Sequence, residues 1–219
     1  MWASLNVTLD PEEKSRLMDG TLTAFKCGAC GHTAQVVYSL LYHDMRQTTA
    51  IWLIPPGPDG KPGEAPDLAA MTFGKNYRTR IVDSYNQLRE KILIFDAGFD
   101  DRIIEVAKLM TKAHWEKDHP ALGANLFFAG CSGEGDAATM DFVILSEKGQ
   151  TGASVSRDKM YNLLSKEFAP RLAASPRPWS RVDERFAFEL LEAGSAHSTA
   201  QPGAQQTIGK KKWWWPFGG

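Results

Sequence analysis

The chain begins with an alternation of apolar and polar residues, and several later stretches carry apolar residues every three or four positions. A period of two predicts a strand with one buried face, whereas a period near 3.6 predicts an amphipathic helix. In the stretch 4–9, Leu5, Val7 and Leu9 are the apolar members of such an alternation. We therefore predict a strand over 4–9 as the first element.

A helix with well-defined ends is predicted immediately afterwards. Asp10 suits the N-cap, Pro11 suits the first helical position, and Glu12 and Glu13 lie where the helix dipole favours negative charge. Gly20 suits the left-handed conformation with which many helices end. The helix should thus run from Pro11 to the residue before Gly20.

A short hairpin around two cysteines is the next prediction. Strand patterns over 22–26 and 34–39 flank a Cys-Gly-Ala-Cys-Gly-His segment that begins at Cys27. Two residues between the cysteines let a tight turn aim both sulfur atoms at one point, and glycine relieves the strain of such a turn. We therefore expect the two cysteines at the tip of a hairpin.

The rest of the chain predicts further strands and helices before a polar end segment. In chain order these are a strand at 49–54, a Pro- and Gly-rich loop at 55–63, a strand at 77–82, a helix opened by Ser84 or Asn86, a helix capped by Asp100 and Asp101, a hairpin of 125–129 and 140–145, a helix over 156–168 that stops before Pro170, and a helix over 182–191. This succession predicts an α+β fold, with a small antiparallel sheet that carries the knuckle hairpin and is packed by several helices.

Composition divides the chain into three parts. Hydrophobic residues make up 43% of the chain, which excludes a disordered protein and predicts a folded domain over 1–193. The segment 194–209 is rich in Ala, Ser, Gln and Gly, as flexible linkers are. Residues 210–219 form a basic and aromatic tail.

Charge and cysteine content bear on which partners and which cellular compartment are expected. A net charge of -1 gives no overall attraction to nucleic acid. Three cysteines, two of them in one knuckle, indicate reduced thiols and not a disulfide framework. The chain shows neither a run of about 20 apolar residues nor a signal sequence, so we expect a cytoplasmic body.

The cysteine pair raises the question of a metal site. A structural zinc site has four ligands, whereas Cys27 and Cys30 provide two, and Cys131 lies far downstream. His32 next to the knuckle, and His43 or Asp44 further along, are the candidates for additional ligands. The same knuckle of a second copy is the other candidate, since two knuckles can meet across a two-fold axis.

Other interpretations of these residues stay open. A hairpin tip without metal is the plainest one for the cysteines, while a redox pair would require the motif to open a helix, and here a strand pattern follows it. His43 and Asp44 could provide a ligand or a catalytic pair, but a hydrogen-bonded structural turn is the interpretation that we favour.

Taken in order, several motifs resemble the CpXC family of bacterial proteins. They lie at residues 5–11, 19–20, 27–32, 41–44, 51–55, 88–96, 98 and 100–102, and the resemblance extends over about 2–115. It implies two CxxC knuckles that together form one zinc-ribbon-like metal site, and it implies no established enzymatic activity. Within this sequence, only Cys27 and Cys30 can take over the metal-binding role.

Two departures from that pattern bear on the metal. The first CxxC pair is missing from this sequence, and Gly28 occupies the position where the family name implies proline. Three explanations stay open: the metal site is lost, another chain completes it, or the missing pair lies upstream of Met1. Zinc is therefore expected only as a partial site.

The C-terminal tail is the second candidate for function. Three lysines precede an aromatic cluster here; the residues are Lys210, Lys211, Lys212, Trp213, Trp214, Trp215 and Phe217. Consecutive aromatic residues can fill a pocket on a partner protein, which is the interpretation that we favour. Attachment to the inner face of an anionic membrane is the second interpretation, and single-stranded nucleic acid is the least favoured.

The sequence carries no phosphate-binding loop, nucleophile elbow or HExxH motif. We therefore expect a non-enzymatic accessory protein that docks to a partner assembly or a membrane surface, with a homodimer as a further expectation. The alternative is a metal- or thiol-dependent enzyme that uses Cys27, Cys30 and His43.

Overall fold

The protein was analysed as a computed structural model. The structure describes residues 3–61, 63, 73–74, 76–120, 123–173 and 177–196, with the backbone alone for 194–196. The basic and aromatic tail at 210–219 and the linker beyond residue 196 lie outside these residues, so the predictions made for them are not addressed by the fold. As predicted, the fold class is α+β.

A mixed four-stranded sheet forms the first half of the fold. Its strands are β1 (Ala3–Asn6), β4 (Leu40–Asp44), β5 (Thr49–Leu53) and β6 (Arg78–Val82), in the order β1-β4-β5-β6. The central pair β4 and β5 is antiparallel, while β1 runs parallel to β4 and β6 parallel to β5. All five residues of β5 are buried, which places this strand at the centre of the core.

The connection from β1 to β4 holds a helix and the knuckle hairpin. Helix α1 (Pro11–Asp19) starts and ends where the sequence predicts, although the Asp10 side chain makes no capping hydrogen bond. A 3-10 turn leads into the antiparallel hairpin of β2 (Ala24–Lys26) and β3 (Thr33–Gln35). The predicted strands at 22–26 and 34–39 are thus shorter in the structure, because 36–39 lead across to β4.

A second, antiparallel sheet follows two helices. Helix α2 (Tyr85–Asp96) is capped by Ser84, whose hydroxyl accepts the Gln87 N–H at 3.3 Å, and helix α3 (Asp101–Asp118) is capped by Asp100. The strands β7 (Ala124–Ser132), β8 (Thr139–Ser146) and β9 (Gly149–Ser156) then pair in sequence order. Strand β9 was not predicted, because its Ser-, Thr- and Gly-rich sequence is largely exposed and shows no apolar alternation.

The predicted helix over 156–168 is wrong only at its C-terminal end: the Ser156 hydroxyl caps the helical segment by accepting the Lys159 N–H at 3.4 Å, as predicted, but the helix does not stop before Pro170. A π-helical turn at Asp158–Asn162 comes first, and helix α4 (Leu163–Leu172) continues through Pro170. Proline costs only one backbone hydrogen bond near the last turn of a helix, and the buried Phe168 side chain holds this turn against the core. The last helix, α5 (Glu184–Ala196), extends five residues beyond its predicted end at 191.

The main core joins the two sheets through the helices. Leu17 of α1, Ile51 of β5, Phe128 of β7 and Phe168 of α4 belong to a single buried cluster. Each of these side chains is at most 2% exposed. Within the described part of the chain, no helix has both the length and the apolar character needed to cross a membrane.

Candidate functional site

The two cysteines of the hairpin lie in a tight turn held by backbone hydrogen bonds. The Cys27 N–H donates to the His32 carbonyl at 2.8 Å, and the Gly31 N–H donates to the Cys27 carbonyl at 2.9 Å. Gly31 has a φ of 70°, in the region that favours glycine. The turn therefore has the compact form that the CxxC spacing predicts.

Backbone amides stabilise the thiolate of Cys27. The N–H of Cys30 makes the largest contribution, the N–H of Ala29 the next and the Cys30 thiol a third, and together they lower the pKa of the Cys27 thiol below its usual value. The thiolate is the form of cysteine that binds metal and reacts as a nucleophile. The lowered pKa of Cys27 thus favours the thiolate that metal binding or thiol chemistry at this cysteine pair would require.

Almost the whole hairpin lies on the surface. Every residue from 24 to 37 is exposed except Cys27, which is half-buried. Three of these residues are large and apolar, namely Phe25 at 58%, Val36 at 45% and Val37 at 59% exposure. The hairpin therefore presents apolar side chains and a thiol pair to its surroundings.

The base of the hairpin is fixed to the end of α1, and α1 is in turn fixed to α2. The Thr23 hydroxyl donates to the Gln35 side chain at 2.5 Å, and the Gln35 amide donates to the Gly20 carbonyl at 3.3 Å. Arg89 of α2 donates to the Leu17 carbonyl at 2.9 Å. These contacts hold the first and last residues of the projecting hairpin while its tip stays exposed.

The two histidine candidates lie in different surroundings. His32 is exposed beside the knuckle. His43 lies within β4, its Nε2 is 3.0 Å from the Tyr77 hydroxyl, and its ring contacts Phe73 edge-on. Burial lowers the pKa of His43, although the carboxylate of Asp44 opposes the shift.

Asp44, the last residue of β4, forms a structural turn as the favoured interpretation predicts, whereas His43, which that interpretation also placed in the turn, lies within the strand. The Asp44 carboxylate accepts the N–H groups of Arg46 and Gln47, each at 3.0 Å. These bonds close the turn between β4 and β5. Asp44 is thereby committed to the backbone of its own turn.

Within the described ranges, no group of three or more His, Cys, Asp and Glu side chains is arranged to hold a metal ion. His43 is therefore not brought into one cluster with Cys27 and Cys30. Two thiolates from one tight turn fit half of the tetrahedral set that zinc takes. Cys131 lies on β7 at the surface, and partial desolvation of its sulfur is the main cause that raises the pKa of this thiol.

A cluster of buried charges was not foreseen from the sequence. It joins β6, α2 and α3, and its ion pairs are Arg80–Asp101 at 2.8 Å, Lys91–Asp101 at 3.2 Å, Lys91–Glu105 at 2.9 Å, Lys108–Glu105 at 3.0 Å and Lys108–Glu90 at 2.8 Å. Charged residues on helices are normally exposed, so pattern alone places them on the surface. The only available signal was that Glu90, Lys91 and Glu105 lie between apolar core positions of α2 and α3.

A cavity of about 210 Å³ lies beside this cluster, between α3, β7 and the residues that lead into α5. Glu90, Lys91, Glu105 and Lys108 form one charged wall of the cavity, and further charged residues line its other side. Glu90 also accepts the N–H of Phe128 in β7 at 2.7 Å. Since each of these charges has an opposite charge beside it, the wall is electrostatically balanced.

Comparison with known proteins gives one match. No curated protein and no solved structure matches this chain. Residues 1–108 match the family model described as CpXC protein, a range that holds the first sheet, the knuckle hairpin, α2 and the start of α3. Through these residues, the chain belongs to the CpXC family.

Proposed function

We propose that this chain is a non-enzymatic accessory protein that binds a partner protein through its knuckle hairpin and its C-terminal tail. The observation that carries the proposal is the exposure of Phe25, Val36 and Val37 on one projecting hairpin. Large exposed apolar patches are uncommon on monomeric proteins and mark interaction sites, and a hairpin with three exposed apolar side chains is a candidate for such a patch. Among the described residues, the hairpin is therefore the surface to which we assign partner binding.

The tail supplies a second contact. Trp and Phe residues dominate the binding energy of many interfaces, and three adjacent tryptophans from Trp213 to Trp215 provide such anchors. A tail joined by a linker adds to the affinity of the hairpin, because the second contact forms within one complex. Lys210, Lys211 and Lys212 would meet acidic groups on the partner or, in the alternative, anionic lipid.

A metal- or thiol-dependent enzyme receives less support. Such an enzyme would require His43 to act together with Cys27 and Cys30, whereas the His43 ring contacts Tyr77 and Phe73. The charged wall of the cavity is balanced by internal ion pairs, and buried pairs of this kind are common structural features. Zinc at the knuckle would act as a structural element of the binding surface.

The proposal is tested by quantitative cross-linking of the full chain in the cells that express it. Two variants are compared with the wild-type chain, Phe25→Ser/Val37→Ser in the hairpin and Trp213→Ala/Trp214→Ala/Trp215→Ala in the tail. Leu163→Ser is the matched control, because Leu163 is an exposed apolar residue of α4, outside both surfaces. We expect the same protein partner to be lost from both variants and kept by the control.

Vesicle flotation distinguishes the membrane alternative. If the wild-type chain floats with phosphatidylglycerol vesicles and the tail variant does not, while cross-linked proteins are unchanged, then the tail binds membrane and the proposal fails. Equal recovery of all partners by every variant would also contradict it. Catalytic turnover that depends on Cys27, Cys30 and His43 would favour the enzyme.

A further inference from the structure

We propose that two copies of this chain share one zinc ion, which Cys27 and Cys30 of each copy bind as a site of four thiolates. The inference rests on the proposed binding function and deepens it, since it names a second copy of this chain as the partner of the hairpin. It also assigns the metal a role as the link between the two chains.

The ligand count of the knuckle supports this arrangement. A closed zinc site takes four ligands, and the described residues offer two thiolates in one place and no cluster of three candidate ligands. A two-fold axis through the metal duplicates the pair and completes the tetrahedron with identical halves. One second copy therefore supplies what the site lacks.

The turn is also open to a second copy. A Cβ atom built on Gly28 or on Gly31 meets no other atom of the described residues within 4 Å, so the turn is open at these two positions. Cys30 is exposed, and Cys27 is half-buried. Both sulfur atoms belong to a turn that a second hairpin can approach closely.

The exposed apolar side chains next to the knuckle favour the same partner. Phe25 pairs with Ala34 in the hairpin register, two positions before Cys27, so the apolar surface continues directly from the metal ligands. Two hairpins that meet at the metal bring the two Phe25 side chains towards one interface. The exposed Lys26 of each copy offsets the negative charge of a four-thiolate zinc site.

Of the other potential ligands, His32 is exposed beside the knuckle but does not complete a group of three with the two cysteines among the described residues, and the rest lie elsewhere in the structure. His43 hydrogen-bonds with Tyr77, and Asp44 closes its own turn. Cys131 lies on β7 of the second sheet, and the pKa of its thiol is raised, which disfavours the thiolate that zinc requires. Among residues 1–219, the cysteine pair of a second copy is the source of two further thiolates that the geometry favours.

Zinc content and native mass, measured on the full chain purified without oxygen, test the proposal. We expect about 0.5 zinc per chain in a dimer, and dissociation to monomers when the zinc is removed with a chelator. Cobalt(II) in place of zinc should show the intense absorption of a tetrahedral four-thiolate site. The double variant Cys27→Ser/Cys30→Ser should be monomeric and bind no metal, whereas Cys131→Ser should behave as the wild type.

A mixing experiment separates a shared site from two independent ones. A tagged wild-type chain, freed of metal and then given zinc, should capture an untagged wild-type chain but not the untagged Cys27→Ser/Cys30→Ser variant. Unfolding curves of this variant check that it is folded. A monomer with one zinc per chain overturns the proposal, as does a metal-free chain or a dimer that persists after chelation.

These outcomes differ from those that test the proposed function. Loss of a different protein partner from the hairpin and tail variants supports the accessory function even if the chain is monomeric and free of zinc. Conversely, a zinc-linked dimer whose variants keep all cross-linked partners supports the shared metal site and contradicts the wider accessory function.

Discussion

Arg80 and Asp101 form a bidentate ion pair in the protein interior, in which the Arg80 Nε and Nη2 atoms each lie 2.8 Å from a different oxygen of the Asp101 carboxylate. Both residues are at most 3% exposed. Lys91 lies 3.2 Å from the same carboxylate. This contact fixes the edge strand β6 of the first sheet to helix α3, and through Lys91 to helix α2.

The first prediction concerns this pair. Asp101→Asn should destabilise the protein by about 3–5 kcal/mol, because it leaves the buried charges of Arg80 and Lys91 without their shared partner. Urea unfolding followed by circular dichroism measures the change. The double variant Arg80→Met/Asp101→Leu is the control, since it removes one charge of each sign, leaves Lys91 paired with Glu105 and should cost much less. An equal loss of unfolding free energy in both variants would show that altered packing, and not the unpaired charge, causes the destabilisation.

The second prediction concerns the pH dependence of the free energy of unfolding. Burial acts to raise the pKa of Glu105, but Lys91 and Lys108 together outweigh it and hold the pKa below its usual value. A carboxylate whose pKa is lowered by folding stabilises the folded state above its unfolded pKa, near 4.3, and this stabilisation is lost as the pH falls below it. Glu90 acts in the opposite sense, because burial raises its pKa.

Unfolding free energies of wild type and Glu105→Gln, measured from pH 7 to pH 3, test this prediction. The variant should be less stable at pH 7, where Glu105 is charged and paired. The difference should shrink as the pH falls below about 4, because the wild-type carboxylate then becomes protonated as well. A difference that stays constant down to pH 3 would mean that the charge of Glu105 contributes nothing.

The third prediction concerns the reactivity of the thiols. The pKa of Cys27 is lowered by the amides of Cys30 and Ala29, whereas burial raises that of Cys131. In the metal-free reduced protein, alkylation of Cys27 by iodoacetamide should therefore begin at a lower pH than that of Cys131. Peptide mass spectrometry after timed alkylation gives both rates in one sample. Identical pH profiles for the two residues would contradict the stabilised thiolate.

The fourth prediction compares two glycines. Gly20 has a φ of 87°, and a Cβ atom there would lie 2.9 Å from the Arg89 Nη2 atom, so Gly20→Ala should destabilise the fold by about 1–2 kcal/mol. Gly28 is not in the positive-φ region, and a Cβ atom there meets nothing within 4 Å. Gly28→Ala should change stability by less than about 0.5 kcal/mol. Chemical unfolding of both variants gives the comparison, and equal effects would contradict it.

Local signals predicted much of the first half of the fold. Pro11 and Gly20 each act through their own backbone restrictions, and they bound α1 in the structure as expected. The CxxC turn was likewise predictable, because its geometry depends on only a few neighbouring residues. In these places, the sequence within one turn decides the conformation.

Features that depend on distant residues were not predictable in this way. Strand β9 is held by its pairing with β8, from Gly149 opposite Ser146 to Ser156 opposite Thr139, and its own sequence shows no strand period. The burial of Glu90 depends on the Phe128 amide 38 residues later, at the edge of another sheet. A single sequence carries no sign of which distant group will compensate a charge.

The knuckle hairpin is an insertion between two strands that are already neighbours. β1 and β4 pair directly, from Ala3 opposite Leu40 to Asn6 opposite His43, and the hairpin extends from the connection between them. Its exposed residues contribute little to the core, so substitutions at the cysteines should leave the domain folded. The sequence of the hairpin can therefore change with little effect on the stability of the rest of the domain.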